Sequence, residues 1–498
     1  MHKRITCTES SETCVFYGGI YFFVQVLFVF SYANSKETIV RNILIIGAGR
    51  SASSLIRYLL EKSESENIKL TIADISIENA QKLLGDHKNG KAVVLDIFNE
   101  QERKKMISEA SIVISMLPAR FHLEVAKDCL VFGKNLVTAS YISNDLKALD
   151  EEVKAKGLVF MNEIGLDPGI DHMSAMQVID RIKDKGGKML LFESFTGGLV
   201  APESDDNLWN YKFTWNPRNV VVAGQGGVAK FIQEGRYKYI PYQKLFRRTE
   251  FLDVEGYGRF EAYANRDSLK YREIYGLQDI KTLYRGTMRR VGFSRAWNVF
   301  VQLGMTDDTY KMEGSEDMSY REFTNSFLPY KPYDSVELKL RHCQKIDQDD
   351  ILWDKLLELE IFNPNKKVGL KDATPAQILQ KILMDKWTLE PDDKDMIVMY
   401  HKFGYELNGE KKQIESKMVV IGDDQTYTAM AKTVGLPVAI ATLKILNGEI
   451  KTPGVQLPIT KEVYDPILKE LESYGINFKE KRVKYLGYNP FNLEQHYI

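Results

Sequence analysis

Cysteine is scarce in this chain: Cys7, Cys14, Cys129 and Cys343 are all there are in 498 residues, and no two form a C-x-x-C pair. That argues against a disulfide framework or a zinc site and fits a reducing compartment. An excess of charge is missing too, because 67 Lys and Arg offset 68 Asp and Glu for a net charge of −1. Without a global field the chain has no general attraction for nucleic acid or an anionic membrane, so any anionic ligand must be held by local cations. There is no H-E-x-x-H, no metal-spaced cluster and no G-x-S-x-G elbow, which argues against metal and serine-nucleophile chemistry. No internal repeat or low-complexity tract appears. At 44% hydrophobic and 27% charged, the composition is that of a globular protein with room for about three domains.

One long apolar run is present, Val15 to Ala33, preceded by Lys3 and Arg4 and ending in Ser31-Tyr32-Ala33. A stretch of ~20 apolar residues is long enough for a bilayer span, and the small residues suit a signal cleavage site. Residues 1–39 are therefore expected to be a leader of separate status: a start placed too far upstream, a signal or an anchor. Glu9 and Glu12 in the flank favour the misplaced start. The expected location is cytoplasmic, with a membrane anchor through residues 15–33 as the alternative.

The chain is organised around Asn42-Ile43-Leu44-Ile45-Ile46-Gly47-Ala48-Gly49-Arg50-Ser51-Ala52 and the helical pattern after it. This is strand, tight turn and helix, with glycines spaced G-x-G and Ala52 at the third small position. Such a turn holds a phosphate: Gly47 permits the bend, Gly49 lets the backbone approach, and the helix start offers free N–H groups. Gly47, Gly49, Arg50, Ser51 and Ala52 are the expected cofactor contacts. Lys69–Asp74 reads as a second strand ending in an acid 25 residues beyond Gly49. A carboxylate near that spacing accepts hydrogen bonds from the adenosine ribose and repels a 2′-phosphate, so Asp74 favours NAD over NADP. Ala92–Asp96 is a third strand, with Asp96 near the adenine. Ile112–Leu117 is a strand stopped by Pro118, and Leu117 and Pro118 lie in the loop it delivers to the cofactor. Further strands at Asn135–Tyr141 and Leu158–Asn162 complete a Rossmann-type doubly wound parallel sheet, the α/β class.

Beyond Glu163 a second α/β domain begins. The polar loop Gly165–His172 opens a helix, and Asp167 and His172 in it are candidates for proton transfer. Asp171 reads as the cap of that helix. Strands follow at Met189–Phe195, Phe251–Glu255 and Phe260–Ala264. Helical patterns dominate from Ala296 to Lys394, and Met396–Tyr405 with Lys417–Ile421 forms a hairpin about Asn408-Gly409. The expected division is a nucleotide domain over 40–165 with a return at about 425–450, a substrate domain over 166–295 and 395–424, a helical insertion over 296–394 and a C-terminal segment over 451–498. Asn265-Arg266-Asp267-Ser268 and Tyr284-Arg285-Gly286-Thr287-Met288-Arg289-Arg290 set cations among aromatics. Arginine grips carboxylates through its planar fork, which suggests a substrate with several carboxylates.

Taken together, Ser140-Tyr141-Ile142-Ser143, Asn162-Glu163-Ile164-Gly165-Leu166-Asp167-Pro168-Gly169-Ile170-Asp171-His172, Asn265–Ser268 and Arg285-Gly286-Thr287 resemble the saccharopine reductase family, the L-glutamate-forming saccharopine dehydrogenases. The resemblance runs from about residue 40 to the C-terminus. It implies NAD(H) or NADP(H) as cofactor and hydride chemistry that joins or separates glutamate and 2-aminoadipate 6-semialdehyde through saccharopine. It also implies substrate contact by Ser140, Tyr141, Leu166, Asp167, Pro168, Arg266, Gly286, Thr287 and Met288. Asp167 is the expected residue for proton management, with Tyr141 beside it as the second catalytic candidate. Two positions depart from the family: Thr196 stands near a cysteine of the fungal members, and Asp74 stands where they carry a basic residue. Alternative readings are a related reductive condensation such as carboxynorspermidine formation, a dinucleotide-sensing module without turnover, and a membrane-attached binding protein. Among partners, a small polycarboxylate substrate is expected, no nucleic acid, and a homodimer is left open.

Overall fold

The computed structural model describes residues 40–225 and 227–487, with the backbone of 493–495. The leader expected over 1–39 lies outside the described residues. The first sheet is built from β1 (Arg41–Ile46), β2 (Ile68–Asp74), β3 (Gly90–Val94), β4 (Ile112–Ser115), β5 (Asn135–Val137) and β6 (Val159–Met161), joined much later by β15 (Gly454–Gln456). Its order is β15-β6-β5-β4-β1-β2-β3 and every pair is parallel. The chain runs outward from β1 to β3 and then restarts at β4 on the other side. That reversal opens a crevice beyond the carboxyl ends of β1 and β4. Alternation along the strands explains why both faces are dry. Ile43, Ile45, Ile112 and Ile114 enter one core, and Leu44, Ile46, Val113, Leu136 and Phe160 enter another.

The second sheet has ten strands. In chain order they are β7 (Lys188–Val200), β8 (Val228–Gln233), β9 (Arg236–Pro241), β10 (Arg248–Val254), β11 (Gly258–Ala264), β12 (Thr282–Arg290), β13 (Asp395–Leu407), β14 (Glu410–Ile421), β16 (Lys479–Lys484) and β17 (Leu493–Gln495). The order is β16-β14-β13-β7-β12-β11-β10-β17, with β8 and β9 branching from β12. Asn408 and Gly409, at φ 56° and 78°, close the β13–β14 hairpin, as the primed turns of two-residue hairpins require. One face of this sheet packs on the helix Ile170–Asp184. The other encloses an aromatic core with Trp209, Tyr211, Phe213, Trp297 and Trp387. Between β12 and β13 the chain is helical, with helices at Phe293–Leu303, Tyr320–Asn325, Val336–Gln344, Ile351–Glu358 and Pro375–Trp387.

The helix Ala429–Leu446 carries the chain back to the first sheet, where it packs on the helix Ser53–Glu61 that follows the glycine turn. The sequence reads Met430–Leu446 as an apolar helix making this return, and among the described residues it is the one helix long and apolar enough to cross a membrane. It is 78% buried inside the protein, as a core helix is. Asp395, at the start of β13, accepts hydrogen bonds from Ala429 N (2.5 Å) and Met430 N (3.0 Å) at its amino end. The chain after 450, expected as a separate C-terminal segment, supplies strands to both sheets: β15 beside β6, β16 beside β14 and β17 beside β10.

Candidate active site between the two sheets

At the end of β1, Gly47 has φ +106°, and a Cβ there would lie 2.9 Å from the Met116 carbonyl oxygen. Only glycine meets both conditions. Gly49 is extended and a Cβ on it would meet no atom within 4 Å. The turn Arg50–Ala52 and the helix Ser53–Glu61 both begin without a side-chain cap. Free N–H groups facing open space are what an anion needs, so the turn fits a dinucleotide pyrophosphate. Ser51 is half-buried, Ala52 is packed and Arg50 is exposed.

Asp74 ends β2 beside this turn. Its Oδ2 accepts from Ala48 N at 2.6 Å and its Oδ1 from Ser76 N at 2.9 Å. Asp96 is exposed and accepts from Phe98 N at 3.0 Å. Ile75 and Phe98, next to these acids in sequence, are 76% and 75% exposed, an apolar surface suited to a flat heterocycle. Leu117 is half-buried and Pro118 exposed in the loop after β4.

The loops after β5 and β6 meet the second sheet at a cluster of charges. Arg285, on β12 and buried, donates from one terminal nitrogen to Asp167 Oδ1 (2.6 Å) and Asp171 Oδ2 (2.5 Å). Burial opposes the Arg285 charge, but the two carboxylates outweigh it and hold its pKa well above the ordinary value. Tyr141 donates to the same Asp167 oxygen at 3.3 Å. Burial, reinforced by Asp167, raises the Tyr141 phenol well above its usual pKa, so it stays protonated. Asp167 Oδ2 takes no hydrogen bond among the described residues, and the Asp167 side chain is 14% exposed against 1% for Asp171.

Over this cluster lie two further cations. The Arg266 guanidinium is 5.4 Å from the Tyr141 ring centre, and Lys270 Nζ is 4.8 Å from the Tyr141 ring and 4.7 Å from that of Tyr271. Neither forms an ion pair or a side-chain hydrogen bond among the described residues. Burial lowers the Lys270 pKa, partly offset by Glu163. Lys270 was missed in the sequence; its one signal was a cation four residues after Arg266.

Several expectations need correction. Asp171 does not cap its helix. Gly169 is the cap residue, while Asp171 accepts from Gly169 N at 2.6 Å and turns its other oxygen to Arg285. His172 cannot transfer protons to a ligand, because it is fully buried between Tyr275 Oη (2.5 Å) and Glu163 Oε2 (3.0 Å). Glu163 in turn accepts from Ile142 N at 3.1 Å, tying together the loops after β5 and β6. Burial pushes the Glu163 pKa up, but the hydrogen bond and charge of His172, with the Ile142 N–H and the Lys270 charge, together outweigh it and lower the pKa. Gly169, at φ +148°, would put a Cβ 2.0 Å from the Gly165 oxygen, so glycine closes this loop.

Met288 offers no side chain to a ligand: it is fully buried in the aromatic core, and its carbonyl accepts from Arg289. Leu166 and Pro168 are also buried, Gly286 packs against the Phe195 ring, and Thr287 is half-buried. Thr287 pairs in register with Thr196, whose buried hydroxyl has no hydrogen-bond partner among the described residues. The arginine run splits, too. Arg289 lies against Tyr211 and Phe293, and Arg290 against Phe260, leaving Arg285 alone at the cleft. Ser140 is half-buried and lies 2.6 Å from His122 Nε2.

A glycine turn fit for pyrophosphate, facing a second sheet that presents free cations and an anchored carboxylate, defines an oxidoreductase dependent on NAD(P)(H). Comparison with known proteins makes this specific. Residues 43–161 match the Saccharopine dehydrogenase NADP binding domain and residues 165–476 the Saccharopine dehydrogenase C-terminal domain. The chain is 35% identical to saccharopine dehydrogenase [NADP(+), L-glutamate-forming] of Saccharomyces cerevisiae over 451 residues, 89% of this chain and 99% of that one. It is 34% identical to the mitochondrial alpha-aminoadipic semialdehyde synthase of Rattus norvegicus over 88% of this chain and 47% of that one. The solved apo saccharopine dehydrogenase (L-Glu forming) of S. cerevisiae superposes with a TM-score of 0.80 at 33% identity, covering 89% of this chain and all of that one. The chain belongs to the saccharopine dehydrogenase family, and it is an NAD(P)-dependent oxidoreductase of lysine metabolism.

Proposed function

We propose that the chain interconverts saccharopine with L-glutamate and 2-aminoadipate 6-semialdehyde. The observation that carries this is the pair of unengaged cations, Arg266 and Lys270, beside the anchored carboxylate of Asp167. Saccharopine has three carboxylates and a secondary amine; Arg266 and Lys270 are partners for two of the carboxylates and Asp167 for the amine. A dinucleotide, which Gly47, Gly49, Arg50, Ser51, Ala52 and Asp74 would hold, would supply hydride chemistry at the carbon bonded to that amine, and water would cleave the substrate imine left by oxidation into the two products. Arg266 and Lys270 orient the substrate through charge-assisted hydrogen bonds. Asp167 takes the amine proton on Oδ2 during oxidation and returns it during reduction. Arg285 fixes Asp167 through Oδ1, and the un-ionised Tyr141 donates to the same oxygen. The reading places the enzyme in the cytoplasm, where the free thiols of Cys129 and Cys343 stay reduced.

The test is saccharopine-dependent reduction of NAD and NADP, with Asp167→Asn beside the parent. Turnover with saccharopine, and a fall of about 100-fold or more in kcat for Asp167→Asn, are expected. Preference for carboxynorspermidine over saccharopine would overturn the substrate. An unchanged kcat and pH profile in Asp167→Asn would remove it from proton transfer.

A further inference from the structure

Behind Ser140 lies a buried chain of three polar side chains. Ser115, the last residue of β4, is wholly buried, and its Oγ lies 2.8 Å from Nδ1 of His122. The same ring reaches Ser140 Oγ with Nε2 at 2.6 Å. His122 is 4% exposed. It forms no ion pair among the described residues, and burial alone holds its pKa down at about 4. The ring is therefore neutral at physiological pH and carries one proton, on one nitrogen or the other.

The serines decide which. Among the described residues the Ser115 hydroxyl has one hydrogen-bond partner, Nδ1 of His122. If Nδ1 carried the ring proton, it would donate to Ser115 Oγ, and the proton of that buried hydroxyl would have no acceptor. Leaving a buried donor unmade biases the equilibrium by roughly 10- to 100-fold. With the proton on Nε2, every group is satisfied: Ser115 O–H donates to Nδ1 and Nε2–H donates to Ser140 Oγ. One lone pair of Ser140 Oγ is then taken, and its own O–H is released toward a third group. Such linked bonds polarise one another, so the Ser140 hydroxyl becomes a strengthened donor.

We propose that His122 is a positioning residue: through the order Ser115 to His122 to Ser140, it fixes the Ser140 hydroxyl as a hydrogen-bond donor to a carboxylate of the substrate. This rests on the proposed function and on Ser140 lying in the substrate cleft, next in sequence to Tyr141, whose ring carries Arg266 and Lys270. It assigns a direction to a contact that otherwise could run either way. Donation suits a carboxylate and disfavours an ammonium, so His122 also selects which end of a zwitterionic substrate Ser140 accepts.

The full-length enzyme labelled with 15N in its seven histidine rings tests this without substrate. His122 is assigned by the signals missing from His122→Gln, and its tautomer is read from the ring nitrogen shifts and one-bond N–H couplings. The expected form is Nε2–H, kept in Ser115→Ala, where Nδ1–H would be a buried donor with no acceptor, and moved toward Nδ1–H in Ser115→Asp, whose carboxylate only accepts. A parent ring protonated on Nδ1 would overturn the proposal whatever the enzyme turns over, and it would leave the saccharopine reading standing. Conversely, an enzyme inactive on saccharopine sinks that reading while the tautomer still decides this one. In kinetics, Ser115→Asp, which turns the Ser140 hydroxyl back toward Nε2, is expected to raise the saccharopine KM about 5- to 10-fold with kcat held within about twofold. His122→Gln, whose amide N–H can still donate to Ser140, is expected to stay within about threefold of the parent KM. Equal losses of kcat in both variants, with KM unchanged, would show a purely structural role and overturn the proposal.

Discussion

Asp74→Asn is expected to shift coenzyme preference from NAD toward NADP by about 60-fold. The carboxylate ends β2 next to the glycine turn, where a bound dinucleotide places its adenosine ribose. Each oxygen already accepts one backbone N–H, from Ala48 and Ser76, and each keeps a lone pair for a ribose hydroxyl. A hydrogen bond to a charged acceptor contributes ~1.5–3 kcal/mol, and asparagine would lose about 1 kcal/mol of it, a roughly fivefold loss for NAD. A 2′-phosphate carries a charge of about −1.5 to −2. At a separation of ~5 Å in water, repulsion by one carboxylate is about 0.8 kcal/mol per unit charge. Removing it relieves ~1.5 kcal/mol, more than tenfold for NADP, and the two effects multiply.

Asparagine also cannot accept from both Ala48 N and Ser76 N, which weakens the turn. That cost falls on both coenzymes and cancels in the ratio. The assay is kcat/KM for NAD and for NADP at saturating saccharopine, each at low salt and at 0.2 M salt, since screening should shrink the repulsive part. The parent is expected to use NAD at least as well as NADP, although the S. cerevisiae and Schizosaccharomyces pombe relatives carry NADP(+) in their names. A parent that prefers NADP, with a ratio unmoved in Asp74→Asn, would refute the reasoning.

Three further outcomes are expected. Gly49→Ala should leave Tm unchanged while raising KM for the dinucleotide at least tenfold, because its Cβ enters open space where an anion sits; Gly47→Ala should lose ~1–3 kcal/mol of stability as well, from φ +106° and the Met116 clash. Arg266→Ala and Lys270→Met should each raise the saccharopine KM by ~10-fold or more with kcat little changed, and an unaltered KM in steady-state assays would remove that cation from the site. Stability should fall by about 3 kcal/mol between pH 6.5 and 5 from two histidines. Burial holds His122 at about 4 and His401 at about 3 when folded. Their contribution is full above the unfolded value near 6.5 and lost as pH falls toward the folded values, because the unfolded chain binds the extra protons. Urea unfolding at the two pH values reads this, and the loss should be about half as large in His122→Gln.

What was legible in the sequence was local. The run from Asn42 to Ala52 announces strand, turn and helix because its hydrogen bonds close within a few residues. The β13–β14 hairpin announces itself through Asn408-Gly409 for the same reason. The polar loop from Asn162 to His172 was legible as a family mark and misleading as chemistry. It offered four ionisable groups, and their partners lie far along the chain. His172 meets Tyr275 across 103 residues and Asp171 meets Arg285 across 114. Local reading therefore made Asp171 a cap and His172 a proton carrier, when both are consumed in holding the loop against the second sheet.

The same arithmetic explains the arginines. A run with Arg285, Arg289 and Arg290 looks like one basic patch, yet a strand sends them to different surroundings, and the one that reaches the cleft is already bound by two carboxylates. Recognition of substrate then falls to cations without carboxylate partners, Arg266 and Lys270, which lie on the Tyr141 and Tyr271 rings instead. A loop whose acids and histidine are nearly all engaged leaves Asp167 Oδ2 as the oxygen free to exchange a proton. It is rigid because Glu163, Asp171, His172 and Arg285 are not free. Loosening any of these four should lower turnover without any of them touching substrate, and that dependence is why so long a motif accompanies one working carboxylate.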